Sequence, residues 1–405
     1  MSLEFTLTKK QRELGESVRN LTRHVIRPLS LGWDRAQAIP EDFLRNMARM
    51  VGKVGGNAAR ADLDEGEREK AGDFGMKHLD TLLASEELAW GDAALLLCMP
   101  GPGLGGPPIR STGTPEQKKK YFSIFSDPEG PLRWGAYALT EPGAGSDVAG
   151  IRTSCRKDGS SWVLNGRKCY ITNGARASWS VVFATIDPAL GRAGHRAFVV
   201  EKGTPGFSVG RIEDKMGLRA SETAELVFED CRVPEECLLG GEERYRSKEG
   251  FMAAMKTFDN TRPLVASMAI GIGRAAYEHA RDFVKEHYLL SRPIPRYAAI
   301  AERLARVGRG LSAARLVTWR AGWLADQGIP NAKEASMAKA MGGQAAIRAC
   351  IDAIEICGAE GTIARDDQLL EKWFRDIKVY DIFEGTGAIQ RIVISKRLLS
   401  NLKSF

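Results

Sequence analysis

Trp162-Val163-Leu164-Asn165-Gly166-Arg167-Lys168-Cys169-Tyr170-Ile171 is the stretch that decides the fold class of this chain. Two apolar-rich runs flank an Asn-Gly pair, the strongest short-range hairpin signal, because both residues tolerate the positive φ of a tight turn. The spacing predicts two strands joined at Asn165-Gly166. Further strands are expected at residues 178–186, 197–201, 208–212 and 225–228, separated by Pro205-Gly206 and by charged, glycine-containing turns. Short strands with turns and no intervening helices indicate an antiparallel barrel or sandwich.

On both sides of this region the period changes. Residues 11–26 carry apolar side chains at helical spacing, Ile39-Pro40-Glu41-Asp42 has the form of a helix start, and residues 79–90 form an amphipathic run. From Gly250 onward long helical segments are expected at 251–288, 298–326, 333–357, 366–382 and 387–402, with Pro293, Pro295 and Pro330 in the gaps where proline belongs. The expected class is α+β: an N-terminal helical domain (1–133), a central β domain (134–245) and a C-terminal antiparallel bundle (246–405).

The 405 residues carry a formal net charge of +7 and 43% hydrophobic residues, an ordinary globular balance. Acids and bases alternate, and the one tight basic run, Lys118-Lys119-Lys120, reads as the face of a helix start, so no nucleic-acid partner is expected. The longest apolar runs, at 93–99 and 265–272, are too short to span a membrane. Met1-Ser2-Leu3-Glu4-Phe5 lacks the character of a secretory signal, and seven cysteines without CxxC spacing read as buried thiols in a reducing, cytoplasmic setting.

Five scattered histidines, with no HExxH and no pair at ligand spacing, exclude a recognisable metal site, and no GxSxG or Walker motif occurs. Two dinucleotide-like glycine patterns, GxGxxG at 101–106 and Gly271-Ile272-Gly273-Arg274-Ala275-Ala276, lack the strand–loop–helix frame of a dinucleotide fold; the second reads as close helix packing. The segment Tyr137-Ala138-Leu139-Thr140-Glu141-Pro142-Gly143-Ala144-Gly145-Ser146-Asp147 has two readings of equal weight: an ordinary turn, or a loop whose backbone N–H groups and Ser146 cradle phosphate. Near the C-terminus, Glu384 stands between Ile382-Phe383 and Gly385. Apolar neighbours raise a carboxylate's pKa toward the range useful to a general base, and Gly385 and Gly387 leave room for a flat ligand.

Taken together, the segments at 137–150, 164–174, 215–240, 258–262 and 375–399 resemble the acyl-CoA dehydrogenase family in order and spacing over residues 6–402. The resemblance implies helical, β and four-helix-bundle domains with non-covalent FAD between the last two. It implies that Tyr137, Leu139, Thr140, Gly145, Ser146 and Thr386 line the cofactor, and that Tyr170, Ile171 and Thr172 lie against its ring, with Tyr170 where several relatives carry Trp. Ser146, Asp259, Arg262 and Gly385 match acyl-CoA contacts, and Glu384 matches the base that removes the substrate's α-proton while the β-hydrogen leaves as hydride to flavin N5. The implied product is a trans-2-enoyl-CoA and the implied electron acceptor an electron-transfer flavoprotein. Oxidases and monooxygenases of the same fold, and a non-catalytic subunit, are the alternative readings.

The chain departs from the family where one subunit completes its neighbour's flavin site. His287 stands at the usual Arg, Ala298 at a Gln and Glu355 at the Gln of QxFGG, and an acid facing pyrophosphate is unfavourable. Arg292 or Arg296 could compensate. The resemblance implies a tetramer, either of this chain alone or with a paralogous partner, as in two-component members of the family.

Overall fold

The computed structural model describes residues 6–55, 77–127, 129–246, 258–287 and 295–399, with backbone alone at 51–55, 246, 258–260 and 295–297. Helix α1 (Lys9–Leu21) starts with a capping box in which Gln11 N donates to Thr8 Oγ1 (3.2 Å) and Thr8 N to Gln11 Oε1 (3.1 Å). A π-turn at Thr22–Ile26 leads on to α2 (Ser30–Ala36), α3 (Glu41–Gly55), α4 (His78–Gly91) and the short helices α5 (Leu95–Cys98), α6 (Gly106–Thr112) and α7 (Pro115–Ser123). A second capping box, Thr114 with Gln117, starts α7 and leaves Lys119 and Lys120 exposed.

Seven strands follow: β1 (Gly135–Ala138), β2 (Ser154–Asp158), β3 (Ser161–Thr172), β4 (Trp179–Thr185), β5 (His195–Glu201), β6 (Phe207–Ile212) and β7 (Thr223–Pro234). They form one sheet in the order β1-β4-β2-β3-β7-β6, with β5 on β4. The long pairings are antiparallel, but β1 runs parallel to β4, with Gly135 opposite Trp179. Trp162, Leu164, Ile171, Phe198, Leu226 and Phe228 fill one face.

Asn165-Gly166 is not the hairpin turn that its letters suggest. β3 is a single 12-residue strand that runs through the pair. The turn lies earlier, at Gly159 (φ 62°) between β2 and β3. Gly166 is pressed on Thr153, where a Cβ would lie 2.6 Å from Oγ1, and its φ is 147°. Asn165 Nδ2 donates to Asp230 Oδ1 (3.1 Å) and Asp230 N donates back to Asn165 Oδ1 (2.7 Å), with a register shift between Leu164 and Gly166. The glycine therefore marks a bulge inside a strand.

After the short α8 (Glu243–Arg246), the C-terminal helices are α9 (Phe258–His287), α10 (Pro295–Asp326), α11 (Ala332–Cys357), α12 (Leu370–Ile382) and α13 (Gly387–Leu399). The expected helical stretch at 251–257 lies outside the described residues. Both glycine patterns are packing devices. A Cβ on Gly105 would stand 2.5 Å from Ala136 O in β1, and one on Gly271 would stand 2.2 Å from Glu86 O in α4. One apolar core, including Trp33, Trp90, Trp373 and Tyr380, joins the N-terminal helices to the bundle.

A buried charged cluster locks the three parts together. Lys372 Nζ in α12 bonds Asp376 Oδ2 (2.7 Å) and Asp92 Oδ2 (3.1 Å), while Asp376 Oδ1 accepts from Leu218 N (2.6 Å) in the loop before β7. Each charge is paired, as burial requires. Gly271→Ala is expected to lower stability by about 1–3 kcal/mol in urea unfolding, because neither backbone can give way; a wild-type midpoint would contradict the close α4–α9 contact.

Candidate active site

Helix α12 ends at Ile382, and the chain then enters a conformation that only its surroundings can hold. Glu384 has φ 55° and Gly385 φ 92°. A non-glycine residue in the left-handed region costs roughly 1–3 kcal/mol and persists where neighbours over-determine it. Three contacts do so. Tyr380 is fully buried, donates its hydroxyl to Ala93 O (2.6 Å) and meets the edge of Phe383 at 5.0 Å. Gln390, buried in α13, donates Nε2 to Gly385 O (3.0 Å) and Glu384 O (3.3 Å). Lys339 in α11 donates Nζ to Asp381 O (2.9 Å). A Cβ at Gly385 would stand 2.5 Å from Gln390 Nε2, so the glycine is required by both φ and space. Thr386 Oγ1 accepts from Ile389 N (3.3 Å) and caps α13.

The Glu384 side chain faces inward. Oε2 is sealed from solvent and has no hydrogen-bond partner among the described residues. Burial raises its pKa above the ordinary carboxylate value; the Thr261 hydroxyl and the charges of Arg262 and Lys339 pull the other way. Thr261 Oγ1 faces the acid but stays outside hydrogen-bond geometry, and is itself buried and unpartnered among the described residues. Tyr137 of β1 shares the site: burial, then the Glu384 charge, raise its phenol pKa. The site thus joins β1, the start of α9, the middle of α11 and the α12–α13 turn.

β1 runs directly into the glycine-rich loop. Glu141 and Ala144 exchange backbone hydrogen bonds of 3.2 and 3.0 Å. The Glu141 carboxylate accepts from Arg152 N (2.6 Å), Thr153 N (2.9 Å) and Lys168 Nζ (2.7 Å), and the same Nζ reaches Leu139 O (3.0 Å). Burial opposes the Glu141 charge, but Lys168, Thr153 and Arg152 more than offset it and keep the carboxyl below its ordinary value. Burial pulls Lys168 down to about 8. Sequence reasoning missed this pair; its only signal was a lysine in a strand that otherwise reads as apolar. The lock leaves Gly145 and Ser146 exposed, with nothing within 4 Å of a Cβ at Gly145.

The remaining predicted residues fall as follows. Leu139 is buried and Thr140 half-buried, its carbonyl accepting from Cys169 N (2.9 Å). Tyr170 has φ 59° at the β3–β7 register shift between Lys168 and Ile171, and its side chain is 64% exposed. Ile171 points into the sheet core, leaving only its backbone for any ligand, and Thr172 is half-buried. Arg262 is half-buried; Asp259 lies in the first turn of α9, and its side chain is outside the described residues. His287 stacks on Phe283 (4.0 Å), with Nδ1 3.0 Å from Phe283 O, and Ala298 is exposed. Glu355 is paired with Arg303 (2.5 Å), so its charge is compensated from within the chain. Arg292 and the side chain of Arg296 lie outside the described residues. Among the described residues no cluster of three potential metal ligands occurs.

Family models for the N-terminal, middle and C-terminal domains of acyl-CoA dehydrogenase match residues 8–126, 136–231 and 248–399. The chain is 36% identical over 400 residues to the human mitochondrial short-chain specific acyl-CoA dehydrogenase, covering 98% of this chain and 92% of the relative. It is 37% identical over 394 residues to an acyl-CoA dehydrogenase of Bacillus subtilis, covering 97% and 99%. The solved butyryl-CoA dehydrogenase of Megasphaera elsdenii superposes with a TM-score of 0.84 at 32% identity, covering 98% and 100%. The chain belongs to the acyl-CoA dehydrogenase family, whose cofactor is FAD.

The residues present fit that group: the glycine loop after β1 is open at Gly145, Tyr170 turns its ring outward, and Glu384 Oε2 and Thr261 Oγ1 are buried without partners among the described residues. Lys168→Met is expected to cost about 3–5 kcal/mol in denaturant unfolding, since it strands a buried carboxylate. Adding Glu141→Gln should recover part of that loss; a purely additive double variant would show that the two side chains do not form one lock.

Proposed function

We propose that this chain dehydrogenates an acyl-CoA thioester between its α and β carbons to a trans-2-enoyl-CoA, with Glu384 as the base that takes the α-proton. The observation that carries the reading is the buried carboxylate with an unpartnered Oε2, raised in pKa and fixed on a strained turn beside β1. A thioester α-proton is weakly acidic, so the base must be dry enough to want it and held still enough to reach it.

Tyr137, Leu139, Thr140, Gly145, Ser146 and Thr386 are the residues that hold FAD, with Tyr170, the Ile171 backbone and Thr172 beside its ring. FAD held there would supply the acceptor for the β-hydrogen as hydride, with an electron-transfer flavoprotein as the onward electron acceptor. Ser146, Asp259, Arg262 and the Gly385 backbone position the acyl-CoA, and the backbone N–H of Glu384 is the chain's own donor to the thioester oxygen as negative charge develops there. Closure of the site by Tyr380, Phe383 and Gln390 keeps water from the carboxylate.

The catalytic unit is a tetramer, of this chain alone or with a paralogous subunit, in the cytoplasm. All seven cysteines are buried free thiols, which suits a reducing compartment. Arg303 cancels the Glu355 charge that the sequence pattern set against a neighbour's cofactor, which leaves self-assembly open to this chain.

Anaerobic mixing of the FAD-loaded protein with a panel of straight-chain acyl-CoAs, beginning with butyryl-CoA, should bleach the flavin absorbance. Glu384→Gln should slow bleaching by roughly 10²–10⁴-fold. Bleaching by that variant at the wild-type rate would overturn the assignment.

A further inference from the structure

Lys339 has no role in the reaction as described, and its position calls for one. It lies midway along α11 between Ala338 and Ala340 and is 1% exposed. A buried ammonium is costly unless it is paired. Yet among the described residues its Nζ makes a single hydrogen bond, to Asp381 O, and no ion pair within 4.0 Å. Burial brings its pKa down to about 8, against the pull of Asp381 and Glu384 and with the push of Arg262.

The surroundings of Glu384 show what this charge does. Facing the acid are Thr261 and Arg262 from α9, Tyr137 from β1 and Lys339 from α11, while Asp381 of α12 faces Lys339. Arg391 of α13 sits close by, its Nη1 3.6 Å from the Cβ position of Gly387. Asp381 Oδ1 is buried against Gly343 and Gly387, where a Cβ would come within 3.2 and 2.9 Å, and its Oδ2 lies 4.0 Å from Lys378 Nζ. Arg262 and Lys339 are the two cations whose charges favour the Glu384 carboxylate, and of these Lys339 also holds the Asp381 carbonyl.

We propose that Lys339 is a positioning residue for Glu384: it ties down the carbonyl at Asp381 that fixes the strained turn, and its charge favours the carboxylate over the acid. This rests on the reading of Glu384 as the base. Without Lys339, one of the two cations that favour the carboxylate is gone, and Arg262 and the Thr261 hydroxyl are left to oppose burial. The base then holds its proton to higher pH, so the acid limb of the rate profile moves upward.

The test is the pH profile of kcat/KM for FAD-loaded Lys339→Met and Lys339→Arg, with flavin content and Tm measured on each. Lys339→Met should shift the acid limb up by about one pH unit, a roughly tenfold loss on that limb, with little change at the alkaline plateau. Lys339→Arg should restore the limb; if the Met variant does not fold, Lys339→Gln serves in its place. A lower Tm or flavin content with an unmoved limb would overturn the proposal. Glu384→Gln run alongside separates the two readings. Large loss there with an unmoved limb in Lys339→Met removes the lysine's role alone, whereas full activity in Glu384→Gln removes the base and this proposal with it.

Discussion

A carboxylate held in a dry interior keeps its charge only if the protein supplies cations at fixed places around it. Glu384 is in that position, and much of the architecture serves it. The turn that presents it is strained, with φ 55° at a residue that bears a side chain. The strain is held by Gln390 from one side, Lys339 from another and the buried Tyr380 beneath. Each restraint comes from a different helix, which is why the acid needs a bundle and could not be presented by a lone loop.

The same logic governs the other half of the site. The glycine-rich loop after β1 is open to solvent at Gly145 and Ser146, yet its base is tied down by the buried Glu141 carboxylate. Glu141 gathers two N–H groups and an ammonium, and Lys168 spans from that carboxylate to Leu139 O. An exposed, side-chain-poor loop on a rigid stem suits a ligand that is read largely by backbone. The Lys372–Asp92–Asp376 cluster then holds β domain, N-terminal helices and bundle in one register, with Asp376 capturing Leu218 N.

The helical period outside the central region and the alternation within it were legible in the sequence because burial follows spacing. Glu384 was legible too, since an acid between Ile382-Phe383 and a glycine has no comfortable solvated reading. Asn165-Gly166 misled because a glycine's use depends on what it touches: Thr153 and Asp230 make it a bulge, and neither is near in sequence. Lys168 and Lys339 were invisible for the converse reason. A lysine in a strand or helix reads as a solvated position, and only partners 27 and 42 residues away reveal it as buried. Arg303 escaped notice in the same way, so Glu355 looked more hostile to an anionic ligand than its ion pair makes it.

The central claim is that Glu384 removes a proton from the carbon next to a thioester, and it can be isolated from every redox step. The substrate for this is 3,3-dimethylbutyryl-CoA, which has α-hydrogens but no β-hydrogen to lose. Incubated in D2O with the FAD-loaded protein and followed by NMR, it should exchange its α-hydrogens at a rate that the Glu384→Gln variant does not sustain. Equal exchange by wild type and Glu384→Gln would show that the proton leaves by another route and would contradict the account.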